Sequence, residues 1–129
     1  SAEEIDRYNI YRATQMCMEK ALSQIACDFE LVLTDAMPLP HYPKNVVPII
    51  KGDAKCLNIA AASVLAKVTR DRYMDELEKQ YPNFKFSLHK GYGTKKHMEE
   101  LEQFGVIEGV HRKTFGPVAR TLQKQLTLF

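Results

Sequence analysis

Ser63, Lys67 and Asp71 stand four residues apart, so on a helix they share one face as a row of hydroxyl, ammonium and carboxylate. The plain reading of such a row is a solvent face with a Lys67–Asp71 ion pair worth roughly a few tenths of a kcal/mol. The alternative is a polar stripe set against a ligand. The small apolar run Ile59-Ala-Ala-Ala62 just before it makes the first turns look buried, which favours the ligand. Asp35 closes Leu31-Val-Leu-Thr-Asp35, a run that reads as a buried strand. A carboxylate there is either a turn or cap residue, or sits where an α/β sheet opens to ligand. If Asp35 and Asp71 converge, their hard oxygens suit Mg²⁺ or Mn²⁺. In His89-Lys-Gly-Tyr-Gly-Thr94, two glycines let the backbone turn tightly around Tyr92. An outward ring among Lys90, Lys95 and Lys96 could stack on a nucleotide while the lysines steer phosphate; the other reading folds the ring back over a helix end. His41, His97 and His111 have no ligand-like spacing with each other or with cysteine, which argues against zinc. There is no P-loop, dinucleotide fingerprint or nucleophile elbow.

The elements that must position these groups follow from local signals. Ser1-Ala-Glu-Glu4 has the form of a capping box, and Ile5, Tyr8, Ala13, Met16, Cys17, Ala21 and Ile25 recur near the helical period behind it. A chain that opens so abruptly on a helix cap suggests one cut at an element boundary. Strands are expected at Leu31–Leu33 and Val46–Ile50, with Pro48 in the second favouring an edge position or an early strand residue. The three prolines between Pro38 and Pro43 exclude regular structure there. Asp53 or Asn58 should cap a helix reaching about Lys79, which Tyr81-Pro-Asn breaks. Thr94 should cap another that Gly105 stops, and a last helix spans Phe115–Leu126. Alternating strands and helices make the class α/β. Two strands are fewer than a stable sheet normally needs, so either strands lie unrecognised or the chain belongs to a larger fold.

Composition sets the frame. With 45% apolar and 26% charged residues, 129 residues make an ordinary globular domain rather than a disordered tail or a disulfide-stapled miniprotein. The longest charge-free apolar run, Val46–Ile50, is far short of the ~20 residues of a bilayer span, and the opening residues lead us to expect no signal peptide. Three dispersed cysteines, Cys17, Cys27 and Cys56, read as buried reduced thiols of a cytoplasmic protein. The net charge of +2 names no partner, but residues 84–129 hold eight Lys/Arg against four Asp/Glu, which is compatible with a polyanion and equally with a solvated face.

Two long blocks carry a more specific signal. One is Lys51-Gly-Asp-Ala-Lys-Cys-Leu-Asn-Ile-Ala-Ala-Ala-Ser-Val-Leu-Ala-Lys-Val-Thr-Arg-Asp-Arg-Tyr-Met74; the other is Tyr81-Pro82 followed by His89-Lys-Gly-Tyr-Gly-Thr94 and His97. In this order and spacing they resemble ribonuclease HII, from Ile5 to Phe115. The resemblance implies an RNase H-like α/β fold with C-terminal helices, residues 1–129 being part of its catalytic domain. It implies endonucleolytic cleavage of RNA in RNA–DNA hybrids, including a single ribonucleotide embedded in duplex DNA. Four carboxylates and two Mg²⁺ or Mn²⁺ ions about 4 Å apart would carry the hydrolysis. Asp35 matches the third carboxylate and Asp71 the fourth, both catalytic and metal-binding. Lys51, Ser63 and Lys67 fall in segments near the nucleic-acid backbone, and Tyr92 matches the tyrosine that stacks at the RNA–DNA junction. The family's first two carboxylates, an Asp-Glu pair on the first strand, and its Gly-Arg-Gly segment that reads the ribose 2′-hydroxyl have no counterpart here. The expectation is therefore an N-terminally truncated fold lacking part of its sheet and inactive alone. The alternatives are a non-catalytic nucleic-acid-binding piece or one that self-associates through an open sheet edge.

Overall fold

In the computed structural model of the chain, which describes residues 1–126, Ser1 caps the first helix as its spacing from Glu4 predicts. The Glu4 N–H donates to Ser1 Oγ at 3.2 Å, and the Ser1 amino group donates to Glu4 Oε2 at 2.8 Å. Helix α1 runs over Ala2–Ser23, but Asn9 interrupts it with φ 64° and ψ 165°. The break resets the helical phase, so the apolar series from Ile5 to Ile25 is not one stripe. Cys17, Ala21 and Ile25 face solvent, while Gln15 is buried and donates to the Pro38 carbonyl at 2.7 Å. The expectation of buried thiols fails for the same reason at Cys17. Cys27 lies exposed past the end of α1, and Cys56 is only half-buried.

Strands β1 (Leu31–Asp35) and β2 (Asn45–Ile49) pair in parallel, with Val32 opposite Val46 and Asp35 opposite Ile49. Among the described residues the sheet has these two strands. Its β1 alternates, Val32 and Thr34 inward and Leu31 and Asp35 outward, so the strand is covered on one face instead of both. Pro48, which has no N–H to give, sits opposite Thr34. A short helix α2 (Gly52–Lys55) and the long α3 (Leu57–Gln80) follow. Neither expected cap caps: Asp53 lies inside α2, where its Oδ1 accepts from the Ala54 N–H, and Asn58 lies inside α3. The Gly52 amide that opens α2 donates to Asp35 Oδ1 at 2.8 Å instead.

The chain divides into two compact units, Ile10–Val68 and a second made of Ser1–Asn9 with Thr69–Phe129. The first holds the sheet, with Val32, Leu39 and Ile59 buried in it. The second contains helices α4 (Phe86–His89), α5 (Lys95–Phe104) and α6 (Gly116–Leu126) around Leu77, Phe84, Phe86, Leu101 and Val118. Thr94 caps α5, its Oγ1 accepting from the His97 N–H, and Gly105 at φ 83° ends it, both as expected. Asp6 anchors the N-terminal segment of this unit by accepting from the Lys113 and Thr114 amides at 2.7 and 3.0 Å. The architecture is thus α/β, and among the described residues no helix is long and apolar enough to cross a membrane.

Candidate nucleic-acid interface

Helix α3 is continuous through Ser63, Lys67 and Asp71, so their four-residue spacing is realised on one element. The turns carrying the first two are not buried. Residues 61–70 are exposed throughout, Val64 and Leu65 included at 60% and 70%. An alanine-rich run permits close packing, but Ala61 and Ala62 stay exposed; Ile59 is the last side chain of that stretch to be buried. Ser63 Oγ turns back onto its own helix and donates to the Ala60 carbonyl at 2.9 Å.

Asp35 is exposed at the end of β1, and its hydrogen bond to Gly52 ties that end to the turn after β2. Lys51, in the left-handed region at φ 56°, makes this turn, and Ala36 is left-handed just after Asp35 at φ 57°. Two non-glycine residues in that region bracket one carboxylate, each a modest strain held by its surroundings. Gly52 leaves no room for a side chain, since a Cβ there would meet Ile59 Cδ1 at 2.6 Å and the Asp35 backbone at 3.3 Å. The structure thus brings Asp35 and Lys51 into one turn.

Asp71 and Tyr92 are brought together in the other unit. After α4, Lys90 and Gly91 adopt left-handed conformations (φ 48° and 76°) and turn the chain back. Lys90 Nζ then donates to the Asp71 carbonyl at 3.3 Å and pairs with the Asp75 carboxylate. Arg70 donates to the Lys90 carbonyl at 2.7 Å, and its guanidinium carbon lies 4.9 Å from the Tyr92 ring centre. The Tyr92 side chain is not folded over a helix end: the residue is 65% exposed. Sequence reasoning missed Arg70, although it directly precedes Asp71.

It missed a second group entirely. His97 and His111, which have no ligand-like spacing, meet Nε2 to Nε2 at 3.2 Å, and the His89 ring stacks on His97 with centroids 4.2 Å apart. Glu100 is 2% exposed and accepts from His89 Nε2 at 2.9 Å and from the Lys85 amide at 3.2 Å. Its Oε1 is buried without a hydrogen bond, and Lys96 Nζ stands 3.9 Å from it. Burial holds His97 below its ordinary value, and burial with the neighbouring His97 and His89 takes His111 down to about 4. The available signal was the placement of His97 in the first turn of a Thr94-capped helix, one turn from the Tyr92 loop.

The oxygens of Asp35 and Asp71 suit a hard divalent cation in kind. In number they fall short: among the described residues no three His, Cys, Asp or Glu side chains stand together so as to hold a metal ion. The sequence's Asp-Glu pair, Asp75-Glu76, lies in α3 and not on a strand.

Fold and site together define an α/β protein that offers an exposed tyrosine with an arginine against its ring, the arginine directly preceding a helix-borne aspartate. The family model of ribonuclease HII matches residues 1–118, and the chain belongs to that family. The ribonucleases HII of Bacillus thuringiensis (strain Al Hakam) and Bacillus cereus (strain AH820) are each 50% identical to it over 124 residues, covering 96% of this chain and 48% of theirs. That of Bacillus anthracis (strain A0248) is 49% identical over the same length. The chain spans about half the length of these curated relatives.

Proposed function

We propose that this chain forms part of a cytoplasmic, divalent-metal-dependent endonuclease acting on the RNA of RNA–DNA hybrids, including a single ribonucleotide in duplex DNA. Residues 1–129 are on this reading a partial RNase H-like catalytic domain. Its substrate-facing groups are Tyr92, which stacks on a base at the RNA–DNA junction, and Lys51, Ser63 and Lys67 along the phosphate backbone. Asp35 and Asp71 are the carboxylates it contributes to a centre for Mg²⁺ or Mn²⁺. Two carboxylates are half of the set that the family resemblance implies, so the chain by itself binds metal weakly. Among the described residues its sheet has two strands, and edges of such a sheet suit pairing with further strands or with a second copy.

The observation that carries this reading is Tyr92, largely exposed yet fixed beside the Arg70–Asp71 turn through Arg70 and Lys90. A ring offered to solvent with a guanidinium against it suits stacking on a base, with a cation beside it to meet phosphate. The test is fluorescence-anisotropy titration of a DNA duplex carrying one embedded ribonucleotide. Tyr92→Ala is expected to weaken binding about tenfold, the worth of one base–aromatic stack. Equal affinities of the two proteins would remove the reading.

A further inference from the structure

Three histidines and a glutamate packed against Phe84 and Phe86 are an expensive interior, and their hydrogen bonds fix what they do. Tyr92 offers His97 a carbonyl oxygen at 2.9 Å, which can only accept, so His97 Nδ1 carries the proton and its Nε2 is bare. The Ile107 amide donates to His111 Nδ1 at 2.9 Å, so the His111 proton is on Nε2 and is given to His97. The Gly91 amide donates to His89 Nδ1 at 3.2 Å, which leaves His89 Nε2 to donate to Glu100. With all three imidazoles neutral, every ring nitrogen has a partner of the right sense. The network ends on the backbone of the Tyr92 loop. The Tyr92 N–H donates to the His89 carbonyl, and its C=O accepts from both Thr94 N–H and His97 Nδ1. Peptide groups on both sides of an exposed side chain are thereby held from beneath.

We propose that His97, oriented by His111, is a positioning residue: its Nδ1–H fixes the Tyr92 carbonyl and with it the direction in which the ring is presented. This rests on the reading of Tyr92 as a nucleic-acid contact, and the test separates the two. An asparagine at position 97 places an amide N–H near the site of Nδ1 and can hold the Tyr92 carbonyl. A glutamine reaches toward Nε2 and abandons it. Both lose the imidazole and its stack on His89, so a merely structural role lowers stability in both without distinguishing them.

The full chain is studied as wild type, His97→Asn and His97→Gln, with circular dichroism confirming the fold. Hydrogen exchange is read at the Tyr92 and Thr94 amides, and anisotropy is read with the ribonucleotide-bearing duplex. His97→Gln is expected to speed exchange about tenfold and to bind as weakly as Tyr92→Ala, while His97→Asn stays near wild type. Identical exchange in the two variants would overturn the inference. A split in exchange with affinity unchanged in every variant, Tyr92→Ala included, would uphold the positioning role and remove the nucleic-acid reading instead. Should both variants unfold, long-range ¹⁵N–¹H correlation on the wild-type chain decides: His97 in the Nε2–H tautomer would sink the proposal.

Discussion

His111 and His97 are bases whose charged forms the interior disfavours. An unfolded histidine takes up its proton near pH 6.5, whereas folded His111 does so only near pH 4, and His97 is shifted in the same direction. Between those values the unfolded chain binds more protons than the folded one, so acid favours unfolding. Stability from this pair is fully present above pH 6.5 and is lost as pH falls toward 4. Glu78 is held below its ordinary value by hydrogen bonds from Ser87, so its ionised form also stabilises the fold and that contribution too is lost in acid. Urea unfolding at pH 7.5, 6 and 5 should show midpoints that fall with pH, and His111→Gln should flatten the fall. A midpoint independent of pH over that range would contradict the neutral network.

At the scale of elements, the end of β1 and the start of α2 meet through one carboxylate and one glycine. Gly52→Ala is expected to destabilise the chain by about 1–3 kcal/mol, because the new methyl group must displace Ile59 or the backbone at Asp35 and Thr34. The change in thermal or urea unfolding measures it, and a cost below about 0.5 kcal/mol would mean that the β1–α2 junction yields easily. Helix ends were legible in the sequence wherever a local group closes them: Ser1 with Glu4 at α1, Thr94 and Gly105 at α5, Tyr81-Pro82 after α3. The caps expected of Asp53 and Asn58 were not, because the group that satisfies the Gly52 amide comes from Asp35, seventeen residues away.

For the whole molecule, the 129-residue chain carries no strand-borne Asp-Glu pair and no Gly-Arg-Gly segment. Purified alone with Mg²⁺ or Mn²⁺, it is expected to leave a single-ribonucleotide duplex uncut, activity losses of 10³ or more being usual when metal-holding carboxylates are absent. Adding a polypeptide that bears the family's Asp-Glu strand and Gly-Arg-Gly segment should restore cleavage. Failure to restore it, with duplex binding intact, would favour a non-catalytic binding module. Sedimentation velocity on the same samples reads whether the chain associates with that polypeptide or with a second copy. Cleavage by the unaided chain would show that two carboxylates suffice.

By itself the sequence determined the α/β class, the two short strand segments, the helix ends at Ser1, Thr94 and Gly105 and the blocks around Lys51–Met74 and His89–Thr94. Each of these rests on interactions within a few residues: a side chain capping its own helix, a proline without an N–H, a glycine at positive φ. Only the tertiary structure decided what is buried. It left residues 61–70 of α3 and the thiols of Cys17 and Cys27 open to solvent, placed Arg70 against Tyr92, and gathered His89, His97 and His111 from positions with no telling spacing. Burial and side-chain partnership depend on which distant segments lie against a residue, and a break such as the one at Asn9 rephases a whole helix without leaving a periodic trace.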